Sequence, residues 1–355
     1  MKKSYFIHGR FPALLLGITA LCITSCSKDY KAEPPRQPLE TTQPSGLASP
    51  QTTPTCCWIS TTNDADHQVD VWNPADSPWT TSNIRWSWKP TTALGYNATT
   101  EIPLWTDPTD VKVRNNAAFG VSQVIIAASY RLATIATYPG GVHIWACGFP
   151  SGIQLHGVEI LPSGNCVVAN AEPGTAGYIR IFSSSQPPPG HTKGAIYSFP
   201  SAHAVLWDAS HNCLWALGNA LRKYTVGPSL TNPTLNLVST YTLKTPWGHD
   251  LSAYTGDSNL MWVSTNGGTY TFDKTTGLFT PLTGAAQNVF VKGLSDQPGQ
   301  SRIVETIEDT NSCTLNNWCT RTITFFDLTT GAQTGTRTVS SAAFYKAKTW
   351  DPYYY

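Results

Sequence analysis

Three segments of the chain restart with one signature at a nearly fixed interval: His156-Gly157-Val158 with Asn165 nine residues on, His203-Ala204-Val205 with Asn212 nine on, and His249-Asp250-Leu251 with Asn259 ten on. After each Asn comes a short apolar stretch, Cys166 to Ala169, Cys213 to Ala216 and Leu260 to Val263. The unit is therefore turn-separated β-structure that recurs every 46 or 47 residues, the length of a propeller blade. In a β-propeller the first strand of each blade lines a central channel. The three histidines then occupy equivalent positions and face one another across a narrow axis.

Working outward extends the ring. Val111 to Arg114 precedes Val124 to Ala127 with the same strand-to-strand offset, and Val291 to Leu294 precedes Arg302 to Glu305, which places Lys292 where other blades carry histidine. From Lys112 through Lys292 the intervals are 44, 47, 46 and 43 residues, all within loop variation. The strand beginning at Cys57, with Gln68 to Trp72 and Ile84 to Trp88, lacks an inner partner, and Ala343 to Trp350 can supply it. Pairing the chain's two ends closes the sheet ring and removes exposed edges. The expected fold is an all-β, six-bladed propeller. A seventh blade would need strands between Thr91 and Pro108, where Pro and Asn predict loop. Two Asp-to-Gly turns, Asp273 to Gly277 and Asp327 to Gly331, mark hairpins between outer strands.

The N-terminal end has a different character. Lys2, Lys3 and Arg10 precede an apolar stretch from Phe11 to Ile23 that ends at Ser25-Cys26, which resembles a bacterial lipobox. Residues 1–25 read as a lipoprotein signal peptide and Cys26 as the lipidated residue. Residues 26–55, rich in Pro, Thr, Ser and Gln, read as a disordered tether, and 56–355 as the propeller. Ser27-Lys28-Asp29 is similar to the export signal of surface lipoproteins, so the expected location is the outer membrane, facing outward; a periplasm-facing anchor is the alternative.

Removing Lys2, Lys3 and Arg10 from 23 basic side chains leaves 20 against 22 acidic ones, a formal charge of −2, which gives no basis for nucleic-acid binding. Of nine cysteines, Cys22 lies in the leader and Cys26 carries lipid, leaving an odd seven. Cys313 and Cys319 flank a loop and are the expected disulfide, while Cys166 and Cys213 sit in apolar strands as buried thiols. Cys56, Cys57 and Cys147 have no assigned partners. With 13 Trp and 15 Tyr against only 13% charged residues, aromatic packing between blades accounts for most of the tryptophans.

His156 to Asn165, His203 to Asp208 with Cys213 to Gly218, and Gly248 to Leu251 together resemble an uncharacterised family of Bacteroidota propeller lipoproteins over residues 56–350. That resemblance implies fold and location but no reaction. Locally the chain also looks like oligogalacturonate lyases, which hold a divalent metal with axial histidines, and arylsulfotransferases, whose Leu-Pro-x-Gly-Asn turn is similar to Leu161 to Asn165.

The expected axial ring contains Lys112 or Arg114, His156, His203, His249, Lys292, and Lys346 or Lys348, with no carboxylate in an equivalent slot. His156, His203 and His249 have the ligand count of an open divalent-metal site. The basic members Lys112, Arg114, Lys346 and Lys348, with His156, would bind an anionic ligand such as an acidic or sulfated oligosaccharide. A lyase could use His203 or His249 as base and Lys292 as carboxylate clamp, and sulfuryl transfer could use a histidine nucleophile. Binding without catalysis, and purely structural channel histidines, remain open beside these. His67, His143, His191 and His211 fall outside the register. Asp250, adjacent to His249 on a strand, is expected to point away from it.

Overall fold

The structure is a computed structural model that describes residues 58–171 and 177–355. The expected leader, the expected lipidation site Cys26, the expected tether and the Cys56-Cys57 pair lie outside the described residues.

Among the described residues the strands form six four-stranded antiparallel sheets, the blades of a six-bladed propeller. Blade 1 takes Phe344–Trp350 as inner strand and adds Trp58–Asn63, Gln68–Trp72 and Ile84–Trp88 outward. Blades 2 to 6 follow in sequence order, with inner strands Pro108–Asn115, Leu155–Ile160, Ala204–Asp208, Gly248–Ala253 and Val291–Gln297. The ring closes by the pairing of Trp58 with Trp350 and Ser60 with Lys348. This ladder satisfies backbone groups that would otherwise form two open edges. The segment from Thr91 to Pro108 contributes 3-10 turns at Thr92–Leu94 and Ile102–Leu104 rather than a further blade.

The core is divided into seams. Each of six apolar clusters draws its residues mainly from two neighbouring blades: Val124, Trp145, Val158 and Phe182 join blades 2 and 3, and Leu206, Trp215, Val263 and Phe272 join blades 4 and 5. This explains why second strands such as Cys166–Asn170 and Cys213–Leu217 are buried throughout, with residues of both faces packed away from water. Truncating a seam residue such as the fully buried Trp215 to Ala would cost about 3–5 kcal/mol.

The Asp-to-Gly turns form as expected. Asp273 Oδ1 accepts from the Thr275 and Thr276 amides at 2.8 and 3.0 Å, and Asp327 Oδ1 from Thr329 and Thr330 at 3.0 and 2.8 Å. Gly277 and Gly331 follow at φ 72° and 67°, where a side chain would be strained.

Candidate functional site

The inner strands share a backbone irregularity that decides what faces the axis. Strand pairing shifts register between Pro108 and Asp110, Leu155 and Gly157, Gly248 and Asp250, and Val291 and Gly293. The extra residues in these bulges are Thr109, His156, His249 and Lys292. In blade 4, His203 takes the matching place just before Ala204, with its amide donating to Leu217 O at 2.8 Å. In blade 1 the irregularity between Phe344 and Ala347 contains Tyr345 and Lys346. A bulge inserts one residue and re-aims its neighbours.

Two expectations are corrected by this register. The counterparts of the histidines in blades 2 and 1 are Thr109 and Tyr345, whereas Lys112 lies three residues deeper than Thr109 and Lys348 three deeper than Tyr345. Asp250 does not point away from the axis. The bulge at His249 breaks strict alternation, and Asp250 reaches Lys348 at 2.7 Å and Lys346 at 3.5 Å.

The upper layer is a row of rings. Tyr345 OH lies 2.8 Å from His156 Nδ1, His156 stacks on His203 with centroids 4.4 Å apart, and His203 meets His249 edge-on at 5.2 Å. Lys292 Nζ is 3.1 Å from His249 Nε2 and 3.1 Å from Glu308. His203 Nδ1 donates to Ser201 O at 2.8 Å, which fixes its tautomer and leaves Nε2 as an acceptor. Burial pushes the His203 imidazole down to about 4, aided by Lys346 and Lys292 and opposed by the Ser201 carbonyl. Burial, the other histidines and the lysines hold His156 and His249 well below the ordinary histidine value. All three rings are neutral at pH 7.

Below them lies a second layer that does contain carboxylates, although none occupies the slot of the histidines. Lys112 pairs with Asp110 at 3.3 Å and Glu159 at 3.6 Å, Arg114 with Glu159 at 3.0 Å, and Lys348 with Asp250 at 2.7 Å and Asp110 at 3.7 Å. The same carboxylates accept from neighbouring inner strands, Asp110 from Val158 N at 3.1 Å and Asp250 from Leu294 N at 3.0 Å. Lys346 donates to His156 O at 2.8 Å and Lys112 to Val205 O at 2.8 Å. Lys112, Arg114, Lys346 and Lys348 thus share three buried carboxylates, Asp110, Glu159 and Asp250, and these ion pairs tie the blades together.

Past this floor the far mouth is crossed by the C-terminal segment. Asn115 N donates to Pro352 O at 2.8 Å, Tyr354 OH to Ile160 O at 3.0 Å, and Ala209 N to Tyr355 O at 2.7 Å, so the segment spans blades 2, 3 and 4. Between it and the floor is a cavity of about 70 Å³ lined by Lys112, Lys348, Ser252 and Tyr354 among others, room for waters rather than a sugar.

The histidine end carries an aromatic rim absent from the sequence reading. Trp247 and Phe290 each lie two residues before a bulge residue and are 56% and 41% exposed, against 6% for both His249 and Lys292. Trp247 sits at φ 65° and Phe290 at φ 56°, conformations that cost a bulky residue about 1–3 kcal/mol. Asn266 holds both: its amide donates to Trp247 O at 2.9 Å, its carbonyl accepts from Phe290 N at 3.0 Å, and its side-chain oxygen meets His249 Nε2. The signal in the sequence was an exposed-type loop position filled by a large aromatic residue immediately upstream of the repeat.

The residues do not fit a metal ion. Stacking turns faces rather than nitrogens together, His156 Nδ1 is taken by Tyr345, and the ammonium of Lys292 abuts His249 Nε2. Among the described residues no group of three or more His, Cys, Asp or Glu side chains is disposed to hold one. The other chemistry-bearing residues lie apart from this mouth. Cys313 and Cys319 are joined in the loop that follows Glu308, with an S–S distance of 2.01 Å. Burial raises the Cys166 and Cys213 thiols to about 12 and about 11, which makes them unreactive. His211 caps a turn against Asp208, and His67, His143 and His191 lie in turns or outer strands.

A family model described as "Family of unknown function (DUF6528)" matches residues 71–317. No curated protein matches the sequence. Among solved structures, a protein of unknown function from Bacteroides caccae superposes with a TM-score of 0.56 at 10% identity, over 83% of this chain and 99% of that one. A functionally unknown protein from Desulfotomaculum acetoxidans gives 0.47 at 9% identity, over 79% of each chain. The first of these likenesses is one of fold.

Proposed function

This chain belongs to the family of unknown function DUF6528, and we propose that it is a ligand-binding propeller whose histidine-end mouth takes an acidic or sulfated sugar. The observation that carries this reading is the placement of Lys292. It is a bulge-layer cation whose partner is a loop carboxylate rather than one from the floor, and it stands beside His249 and 5.9 Å from the centroid of the exposed Phe290 ring. Aromatic faces suit the apolar side of a sugar ring, and a lysine in a low-dielectric funnel suits its carboxylate or sulfate.

Binding is favoured over lyase chemistry by the same burial. A general base works best with a pKa near the working pH, and burial moves His203 to about 4 and the other two rings well below their ordinary value. The neutral rings are better suited to accepting or donating hydrogen bonds to hydroxyls. Ser25-Cys26 and Ser27-Lys28-Asp29 support display as a lipid-anchored protein on the outer surface of a Bacteroidota cell envelope.

The test is titration with oligogalacturonates, sulfated oligosaccharides and neutral oligosaccharides of equal length, with ultraviolet absorbance followed for unsaturated products. Acidic or sulfated glycans should bind without bond cleavage, and Lys292→Met and Trp247→Ala should each weaken binding. Equal binding of neutral glycans, or product formation, would contradict the reading.

A further inference from the structure

The floor lysines take their counter-ions from inner strands, from side chains that are at most 1% exposed: Asp110, Glu159 and Asp250. Lys292 differs. Its counter-ion, Glu308, comes from a loop, and that carboxylate is 21% exposed. Glu308 begins the connection between the second and third strands of blade 6, which the Cys313–Cys319 bridge staples. The loop is held by backbone bonds within blade 6 and by a side-chain bond to neighbouring blade 1. Glu308 N donates to Phe290 O at 3.3 Å, Asp309 N to Cys319 O at 2.9 Å, and Asn316 Nδ2 to Asp64 of blade 1 at 2.9 Å.

We propose that Glu308 is a built-in anion that occupies the ligand's place on Lys292, and that a ligand carboxylate or sulfate must displace it to enter. The proposal rests on the reading of Lys292 as the anion-binding group. Because the loop backbone is held independently, displacement needs only a change of Glu308 rotamer, not opening of the loop. The site then selects ligands twice, by requiring an anion strong enough to replace a tethered carboxylate and by rejecting neutral sugars that leave the Lys292–Glu308 pair closed. A partly exposed pair of this kind weakens ligand binding by about fivefold through competition.

The experiment is trace acetylation of the folded full chain with acetic anhydride. Modification of each lysine is quantified by peptide mass spectrometry, with Lys193 as the exposed reference and sodium galacturonate as the probe. In Glu308→Gln, Lys292 should acetylate about fivefold faster relative to Lys193 than in the parent protein, and galacturonate should protect it at correspondingly lower concentration. Glu308→Ala, which offers no amide in place of the carboxylate, should behave alike. Equal Lys292 reactivity and equal protection in all three proteins would overturn the gate while leaving Lys292 as the anion site. Protection in none of them would overturn the gate together with the reading beneath it.

Discussion

Lys348 Nζ lies 2.7 Å from Asp250 Oδ1, a contact that joins the closing strand of blade 1 to the inner strand of blade 5 across blade 6. Burial opposes the charge on Lys348, but Asp110 and Asp250 outweigh it and hold the ammonium above its ordinary pKa. Closure of the ring is thus electrostatic as well as through the strand ladder. Removing one partner leaves a buried charge uncompensated, so Lys348→Met should cost about 3–5 kcal/mol in urea denaturation. The Lys348→Met, Asp250→Asn double variant should lose less than the two single losses combined, because the second change removes the stranded charge. Additive losses would show that the pair is not coupled.

Close approach of neighbouring inner strands predicts a second effect. A Cβ at Gly157 would stand 2.6 Å from His203 O and 2.8 Å from Ala204 Cα, and one at Gly293 would stand 2.8 Å from both Ala347 N and Ala347 O. These neighbours are backbone and cannot swing aside. Gly157→Val and Gly293→Val should each destabilise by at least about 1–3 kcal/mol and lower the thermal midpoint. Val at the exposed Gly152, beside which a Cβ meets nothing within 4 Å, avoids this clash, although its φ of 91° adds local backbone strain.

Stability should peak slightly below neutral pH. Folding lowers the histidine pKa values, His203 from 6.5 to about 4, so their contribution is full above pH 6.5 and is lost as pH falls toward 4. Folding raises two carboxyls by burial, Asp64 from 3.8 and Glu305 from 4.5, each to about 8. Below their unfolded values that contribution is full, and it declines as pH rises through about 8. Between pH 6.5 and 8 only the carboxyls still act, so stability should fall across that window. Asp64→Asn should flatten the fall; an unchanged slope would remove Asp64 from the account.

The sequence carried the architecture further than the site. Blade length, ring closure through Phe344–Trp350 and the Asp-to-Gly turns all follow from local patterns that recur, and repeats make such patterns visible. The axial register did not follow, because each bulge adds one residue and strict alternation then assigns the wrong face. That is why Lys112 and Lys348 read as channel-mouth cations while Thr109 and Tyr345 were overlooked. The small or acidic residue after each bulge, Gly157, Ala204, Asp250 and Gly293, was the available clue: only such side chains fit between adjacent inner strands or bridge them. Glu308 and Asn266 reach the mouth from loops without a repeat signature, so spacing could not find them.

The most direct test of the central claim is a crystal structure of the protein with a bound galacturonate oligosaccharide. The carboxylate should lie about 2.7–2.9 Å from Lys292 Nζ, with a sugar face against Trp247 or Phe290 and Glu308 turned away from the lysine. A ligand bound at the opposite mouth, beside Tyr354 and Arg114, or a Lys292–Glu308 pair left intact beneath the bound sugar, would contradict it.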